Sequence, residues 1–158
     1  YMLWMVSMVL FCLYALFYDI DTFKRYSRFL VFCMSVSTVL FLIYPSCQNL
    51  RPEAFPRDNA FTRFLYHFYQ FDTNTNVCPS LHVVGSAAVW CTSWHIERFR
   101  TPCWRFFFSS AAILICASTL LLKQHSVIDV VAAIPVCIVA YYFSFKRSGR
   151  KKEQGGRT

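Results

Sequence analysis

Five runs of apolar residues, each bounded by a short polar or charged cluster, organise this chain. They cover roughly residues 1–18, 29–44, 81–94, 104–122 and 127–145. Runs approaching about 20 predominantly apolar residues can cross the ~30 Å hydrocarbon core of a bilayer as helices. The third run is short for a span, and its small residues, Gly85, Ser86, Ala87 and Ala88, would let a neighbouring helix come close. The fifth contains Pro135, which predicts a kink or a locally opened helix. Between the second and third runs lies a long polar and aromatic loop, 45–80, in which residues 60–69 read as a short amphipathic helix. The expected fold class is all-α, a polytopic membrane helix bundle. Residues 1–145 would form the membrane domain and 146–158 a basic tail. The chain opens inside an apolar run with no basic n-region, so it does not read as a signal peptide. The expectation is five visible spans of a six-helix parent, truncated at the N-terminus.

Composition agrees with burial in lipid. Of 158 residues, 56% are hydrophobic and only 15% charged, more apolar surface than one soluble core of this size can hide. The formal charge of +8 raises nucleic acid as a partner, but its placement argues against it. Six of the 16 Lys and Arg lie in the tail from Lys146 to Arg157. With Lys24, Arg25, Arg28, Arg98, Arg100 and Arg105, twelve basic residues fall on one side of the bundle. Arg51, Arg57, Arg63 and Lys123 are the four on the other. The positive-inside rule then puts the tail in the cytoplasm, and the 45–80 loop and the 123–126 turn on the extracytoplasmic side. The expected location is a multi-pass protein of the plasma membrane.

Ionisable groups are costly near hydrocarbon, so histidines at the edges of two spans draw attention. His125 and Asp129 are spaced i, i+4, which on a helix puts them on one face. A carboxylate beside an imidazole sets its tautomer and prepares the other ring nitrogen for nucleophilic attack or proton transfer. The same pair could equally anchor a helix, and a metal pair would need further ligands that are not evident. His82 follows Pro79-Ser80, where Ser80 reads as an N-cap and the helix N-terminus would suit an anion. Arg51 offers a planar fork for phosphate oxygens. Taken singly, His82 has a plain reading as an interfacial histidine and Arg51 as a solvated or headgroup-facing arginine. Their convergence with Ser118 and Lys123 on one face is what points to a reaction site.

Three blocks resemble the signature of the type 2 phosphatidic acid phosphatase superfamily of membrane lipid phosphatases and phosphotransferases. Its Lys-x6-Arg-Pro block is matched by Arg51-Pro52, with Tyr44 at the Lys position. Its Pro-Ser-Gly-His block is matched by Pro79, Ser80 and His82, with Leu81 for Gly. Its Ser-Arg-x5-His-x3-Asp block is matched by Ser118, His125 and Asp129, with Thr119 for Arg. The resemblance implies a lipid phosphate substrate and a phosphohistidine on His125, oriented by Asp129. His82 would be the general acid, and Arg51, Ser80 and Ser118 would hold phosphate oxygens, with no metal or other cofactor. Two of the family's three cations are replaced, and Lys123 is the residue that could substitute for one. Pro-Ser-Leu-His also looks like the inositol phosphorylceramide synthase-type branch, so transfer of a phospho-headgroup stands beside hydrolysis. A non-catalytic lipid-binding or transport relative is the alternative the replaced cations support.

Eight cysteines complete the inventory. Those in the apolar runs read as small apolar residues, while Cys47 and Cys78 bracket the loop and could be bridged by a disulfide.

Overall fold

The computed structural model describes residues 2–52, 55 and 57–146. It is helical, as expected. The helices are α1 Leu3–Tyr18, α2 Ile20–Ile43, α3 Ala60–Phe71, α4 Leu81–Ser93, α5 Pro102–Leu121 and α6 Val127–Tyr141. A 3₁₀ turn, Glu97–Phe99, joins α4 to α5, and α6 continues as a π-helical turn, Tyr142–Lys146. Among the described residues the only β-type pairing is an isolated bridge between Cys47 and Thr75. Helices α2, α5 and α6 with its π turn are long and apolar enough to cross a membrane, whereas α1 and α4 are shorter. The tail beyond Lys146 lies outside the described residues.

Two boundaries differ from the sequence expectation. The basic stretch 19–28 is not a connection but the opening of α2, because one residue, Asp19, suffices for the turn. Its carboxylate accepts the Thr22 N–H at 3.0 Å and the Thr22 hydroxyl at 2.6 Å, capping the helix. Lys and Arg are good helix formers, and Tyr26 and Phe29 on these turns are buried. Lys24, Arg25 and Arg28 therefore ride on the first turns of a 24-residue helix. The second difference is at Pro135, through which α6 runs without interruption; the helix loosens instead at the π turn that starts at Tyr142.

Helix α4 is the hub, packed against α1, α2, α5 and α6. Eight of its 13 residues are buried, and they are small or β-branched. A Cβ on Gly85 would lie 2.4 Å from Met8 Sδ and 2.5 Å from Trp4 Nε1, so only glycine lets α1 approach this closely. Large apolar side chains such as Phe106, Ile113 and Leu114 of α5 point outward, as lipid-facing surface does.

All eight cysteines are free, so no disulfide closes the loop between α2 and α4. Polar contacts close it instead. The Ser46 hydroxyl accepts the N–H groups of Val77 and Cys78, and the Gln48 N–H donates to Asn74 O at 3.1 Å. Cys47 and Cys78 therefore sit at ends already joined.

Candidate active site

The constellation forms where the α5–α6 turn meets the start of α4. After α5, the N–H groups of Gln124 and His125 both point to Thr119 O, at 2.9 and 3.3 Å. This wraps the chain tightly and puts Lys123 at φ 51°. His125 thus precedes α6 rather than lying on it. Ser126 is the N-cap, and Asp129 is the third residue of a capping box: Asp129 Oδ2 accepts the Ser126 N–H at 2.7 Å, and Ser126 Oγ accepts the Asp129 N–H at 3.3 Å. The expected shared helix face for His125 and Asp129 is therefore replaced by a different geometry. The cap holds the carboxylate, and His125 Nδ1 comes to 3.7 Å from Asp129 Oδ2.

His82 enters from the first turn of α4. Its Nδ1 lies 3.0 Å from His125 Nε2, across 43 residues of sequence. His125 Nδ1 is buried without a hydrogen-bond partner, but the Asp129 charge beside it favours the proton on Nδ1 and leaves the Nε2 lone pair facing His82. Burial lowers the pKa of His125 below the ordinary histidine value, against the opposing pull of Asp129. A neutral imidazole whose Nε2 carries the lone pair is a nucleophile once the contact with His82 opens. Trp4 of α1 lies against the other side of His82, with ring centroids 4.3 Å apart.

Ser80 occupies the N-cap position of α4, yet its hydroxyl does not cap the helix. Its N–H donates to Asp129 O at 3.1 Å, tying the two helix starts together. The buried Ser80 Oγ has no hydrogen-bond partner.

Arg51 reaches the same corner from the loop. Its Nη1 donates to Tyr69 O at 3.0 Å and Asp72 O at 2.5 Å, its Nη2 donates to the Gln124 side-chain carbonyl, and its Cζ stands 4.8 Å over the Tyr69 ring. Arg51 Nε and Gln124 Nε2 are buried without partners. Ser80 Oγ, Arg51 Nε and Gln124 Nε2 are thus unanswered donors in the elements that surround the histidine pair. An anion with several acceptor oxygens would satisfy such a set.

Two expected members stand apart. The Ser118 hydroxyl donates back to Ile115 O at 2.7 Å within α5, and Lys123 is exposed. Tyr44, at the family's Lys position, is 75% exposed, and Thr119, at its Arg position, is fully buried. Among the described residues no group of three or more His, Cys, Asp or Glu is arranged to hold a metal ion.

The sequence reading missed Gln124, Gln48, Tyr69 and Trp4. Gln48 Nε2 donates to both Lys123 O and Gln124 O at 2.7 Å, and the Tyr69 hydroxyl donates to Leu122 O at 2.8 Å, so the loop grips the turn that carries His125. Only Gln124 had a local signal, its place beside His125.

A helix bundle with paired histidines, a carboxylate and unanswered donors at one end presents groups suited to an anionic ligand. The sequence pattern of the PAP2 superfamily matches residues 28–153, well over half of the chain, and the protein belongs to that superfamily. Its members are generally phosphatases or phosphotransferases. No curated protein and no solved structure matches the chain.

Proposed function

We propose that this protein is a membrane phosphatase or phosphotransferase acting on the phosphate of a lipid, with His125 as nucleophile and His82 as general acid. The observation that carries the reading is the 3.0 Å approach of His82 Nδ1 to His125 Nε2 beside Asp129. The phosphoryl group would enter between the two rings and widen that contact. His125 Nε2 attacks phosphorus, the P–O bond to the lipid breaks, and His82 gives its proton to the departing oxygen. Water or an alcohol, deprotonated by His82, then attacks the phosphohistidine and frees His125. Charge on the transferring group is met by Arg51, Gln124 and Ser80 donors in place of bulk water. Ser118 and Lys123 would join only by turning from their present positions. The charge distribution of the chain supports an extracytoplasmic orientation for the site, and the plasma membrane is the setting we propose.

One feature favours transfer over monoester hydrolysis. Among the described residues Arg51 is the one cation hydrogen-bonded to the pocket residues, since Tyr44 and Thr119 carry no charge and Lys123 is exposed. A singly charged phosphodiester matches one guanidinium better than a dianionic monoester. This keeps an inositol phosphorylceramide synthase-like headgroup exchange as the second reading, and a non-catalytic lipid binder as the third.

Purified protein offered phosphatidic acid, an isoprenoid pyrophosphate and a phosphoinositide separates these. Turnover that is indifferent to chelator and lost in His125→Ala and His82→Ala, with acid-labile phosphate trapped on His125, supports the reading. Turnover surviving His125→Ala would sink it. Release of free phosphate marks hydrolysis, whereas headgroup appearing on an added lipid alcohol marks transfer.

A further inference from the structure

The first turn of α1 carries a side chain that the proposed chemistry does not use. Trp4 lies against His82, the ring centroids 4.3 Å apart and the planes at 46°. Packing fixes where the indole sits. His82 and Gly85 are three residues apart on α4 and so share one face of that helix. A Cβ on Gly85 would fall 2.5 Å from Trp4 Nε1 and 3.0 Å from Trp4 Cε2, so the indole rests on the α4 backbone one turn from His82. Met8, one turn further along α1, closes over the same glycine, and Met8 O accepts the Tyr26 hydroxyl of α2 at 3.3 Å. Phe11 extends this contact, its ring centroid 5.4 Å from that of Tyr26. These contacts set the register of α1, and with it the place of Trp4.

Trp4 Nε1 is buried with no hydrogen-bond partner. A buried indole N–H usually finds an acceptor, and leaving one unmet is unfavourable. Hydrogen bonding therefore does not explain a tryptophan at this position. What the indole supplies is a broad, rigid face for the imidazole.

That face gains its importance from what substrate binding does to His82. In the structure two rings contact the imidazole: Trp4, and His125, whose Nε2 is 3.0 Å from His82 Nδ1 and whose centroid is 5.1 Å away. A phosphoryl group entering between the histidines opens their hydrogen bond, just when His82 must be aimed at the leaving oxygen. Trp4 has no part in that hydrogen bond, so its contact survives. A proton donor has to stay within hydrogen-bond reach of its acceptor, and a displacement of about 1 Å can cost on the order of 10²-fold in rate. The ring that gives up the proton is an imidazolium, and an indole face attracts that cation.

Resting on the reaction proposed above, we infer that Trp4 is a positioning residue for His82. Its indole backs the imidazole while the phosphoryl group separates the histidines. In that step His125 Nε2 forms its bond to phosphorus, the P–O bond to the lipid breaks, and the His82 proton passes to the departing oxygen. Trp4 acts on the step through His82.

The test is the rate of phosphohistidine formation in a single turnover, compared for two leaving groups. A lipid alkoxide needs the His82 proton, whereas p-nitrophenolate leaves without one. In Trp4→Leu the rate from phosphatidic acid, or from the phosphoinositide where that is the substrate, should fall by roughly 10- to 100-fold. The half-saturating lipid concentration and the rate from p-nitrophenyl phosphate should both stay within about threefold of the parent. Trp4→Phe keeps an aromatic face without the N–H and should restore the lipid rate to within about threefold. Gly85→Ala crowds the indole while leaving Trp4 in place, and should lower the lipid-to-aryl rate ratio in the same direction. Because the ratio is read on folded protein, it decides the matter even where Trp4→Leu folds poorly. An equal loss with both leaving groups would mean a structural role only, and an unchanged ratio in both Trp4→Leu and Gly85→Ala would mean none. Either result overturns the inference, as does a Trp4→Phe variant as slow as Trp4→Leu. His82→Ala keeps the two levels apart: if it shows the leaving-group dependence and Trp4→Leu does not, the reaction stands and the role of Trp4 falls. A parent protein that forms no phosphohistidine would refute the reaction itself.

Discussion

Asp129 has two jobs in this structure, and a pair of substitutions separates them. It completes the capping box of α6 through Ser126 N–H, and it stands 3.7 Å from His125 Nδ1. As His125 attacks phosphorus its ring becomes cationic, and the carboxylate then interacts with a developing positive charge. At this separation and an effective dielectric of about 20, the Coulomb attraction is about 4 kcal/mol, a ceiling of about 10³-fold in rate at ~1.4 kcal/mol per tenfold. Asp129→Asn keeps an acceptor for the Ser126 N–H but loses the charge and the demand for a proton on Nδ1. Turnover should fall by roughly 10²- to 10³-fold, with little loss of stability. Ser126→Ala does the reverse: it removes the acceptor for the Asp129 N–H and should cost about 1 kcal/mol of stability while turnover stays within a few-fold. Single-turnover phosphate release and thermal unfolding of both variants provide the comparison. If Asp129→Asn retains turnover within threefold of the parent, Asp129 is a capping residue only, and the orientation argument for His125 fails.

Arg51→Lys should raise KM by about tenfold or more, because one ammonium cannot reach Tyr69 O, Asp72 O and the Gln124 amide together, and each lost charged hydrogen bond is worth about 1.5–3 kcal/mol; an unchanged KM would remove Arg51 from the pocket. The lowered pKa of His125 predicts that activity persists as pH falls through about 6.5 and declines only below the folded-state value. Unfolding restores the ordinary pKa, so between the two values the unfolded chain binds more protons. The His125 contribution to stability is then complete above about pH 6.5 and wanes as pH drops through that window, which pH-dependent unfolding with a His125→Gln reference measures. Gly85→Ala gains up to ~1 kcal/mol in helix propensity, but its Cβ would meet Met8 and Trp4 at 2.4 and 2.5 Å, so overpacking of about 1–3 kcal/mol should win and lower Tm. A raised Tm would show that α1 shifts freely off α4.

The apolar runs announced α1, α4, α5 and α6 to within a few residues, because lipid-facing helices must be apolar over most of their length. Helix α2 was legible only in its apolar half. Its first turns carry Lys24, Arg25 and Arg28, and charge alone does not distinguish a loop from a helix end that leaves the hydrocarbon. The site divides along the same line. His82, His125 and Asp129 stood out because ionisable groups are rare beside long apolar runs, but their geometry depended on where α6 begins. An i, i+4 spacing implies a shared face only if both residues are helical, and Ser126 at the N-cap puts His125 just outside. Ser80 shows the same limit, since a serine at an N-cap position was expected to cap and instead leaves its hydroxyl unanswered. Gln48 and Gln124 were invisible for a different reason. Their partners are backbone carbonyls that converge only when the loop closes on the α5–α6 turn, and no periodicity or spacing encodes that. Lys123 is the instructive case: a cation two residues from the proposed nucleophile invited a role, yet the tight turn that buries His125 leaves Lys123 exposed. The turn therefore exchanges a flexible cation at the pocket for a fixed network in which Arg51, held by Gln124, Tyr69 and Asp72, is the charge a phosphate would meet.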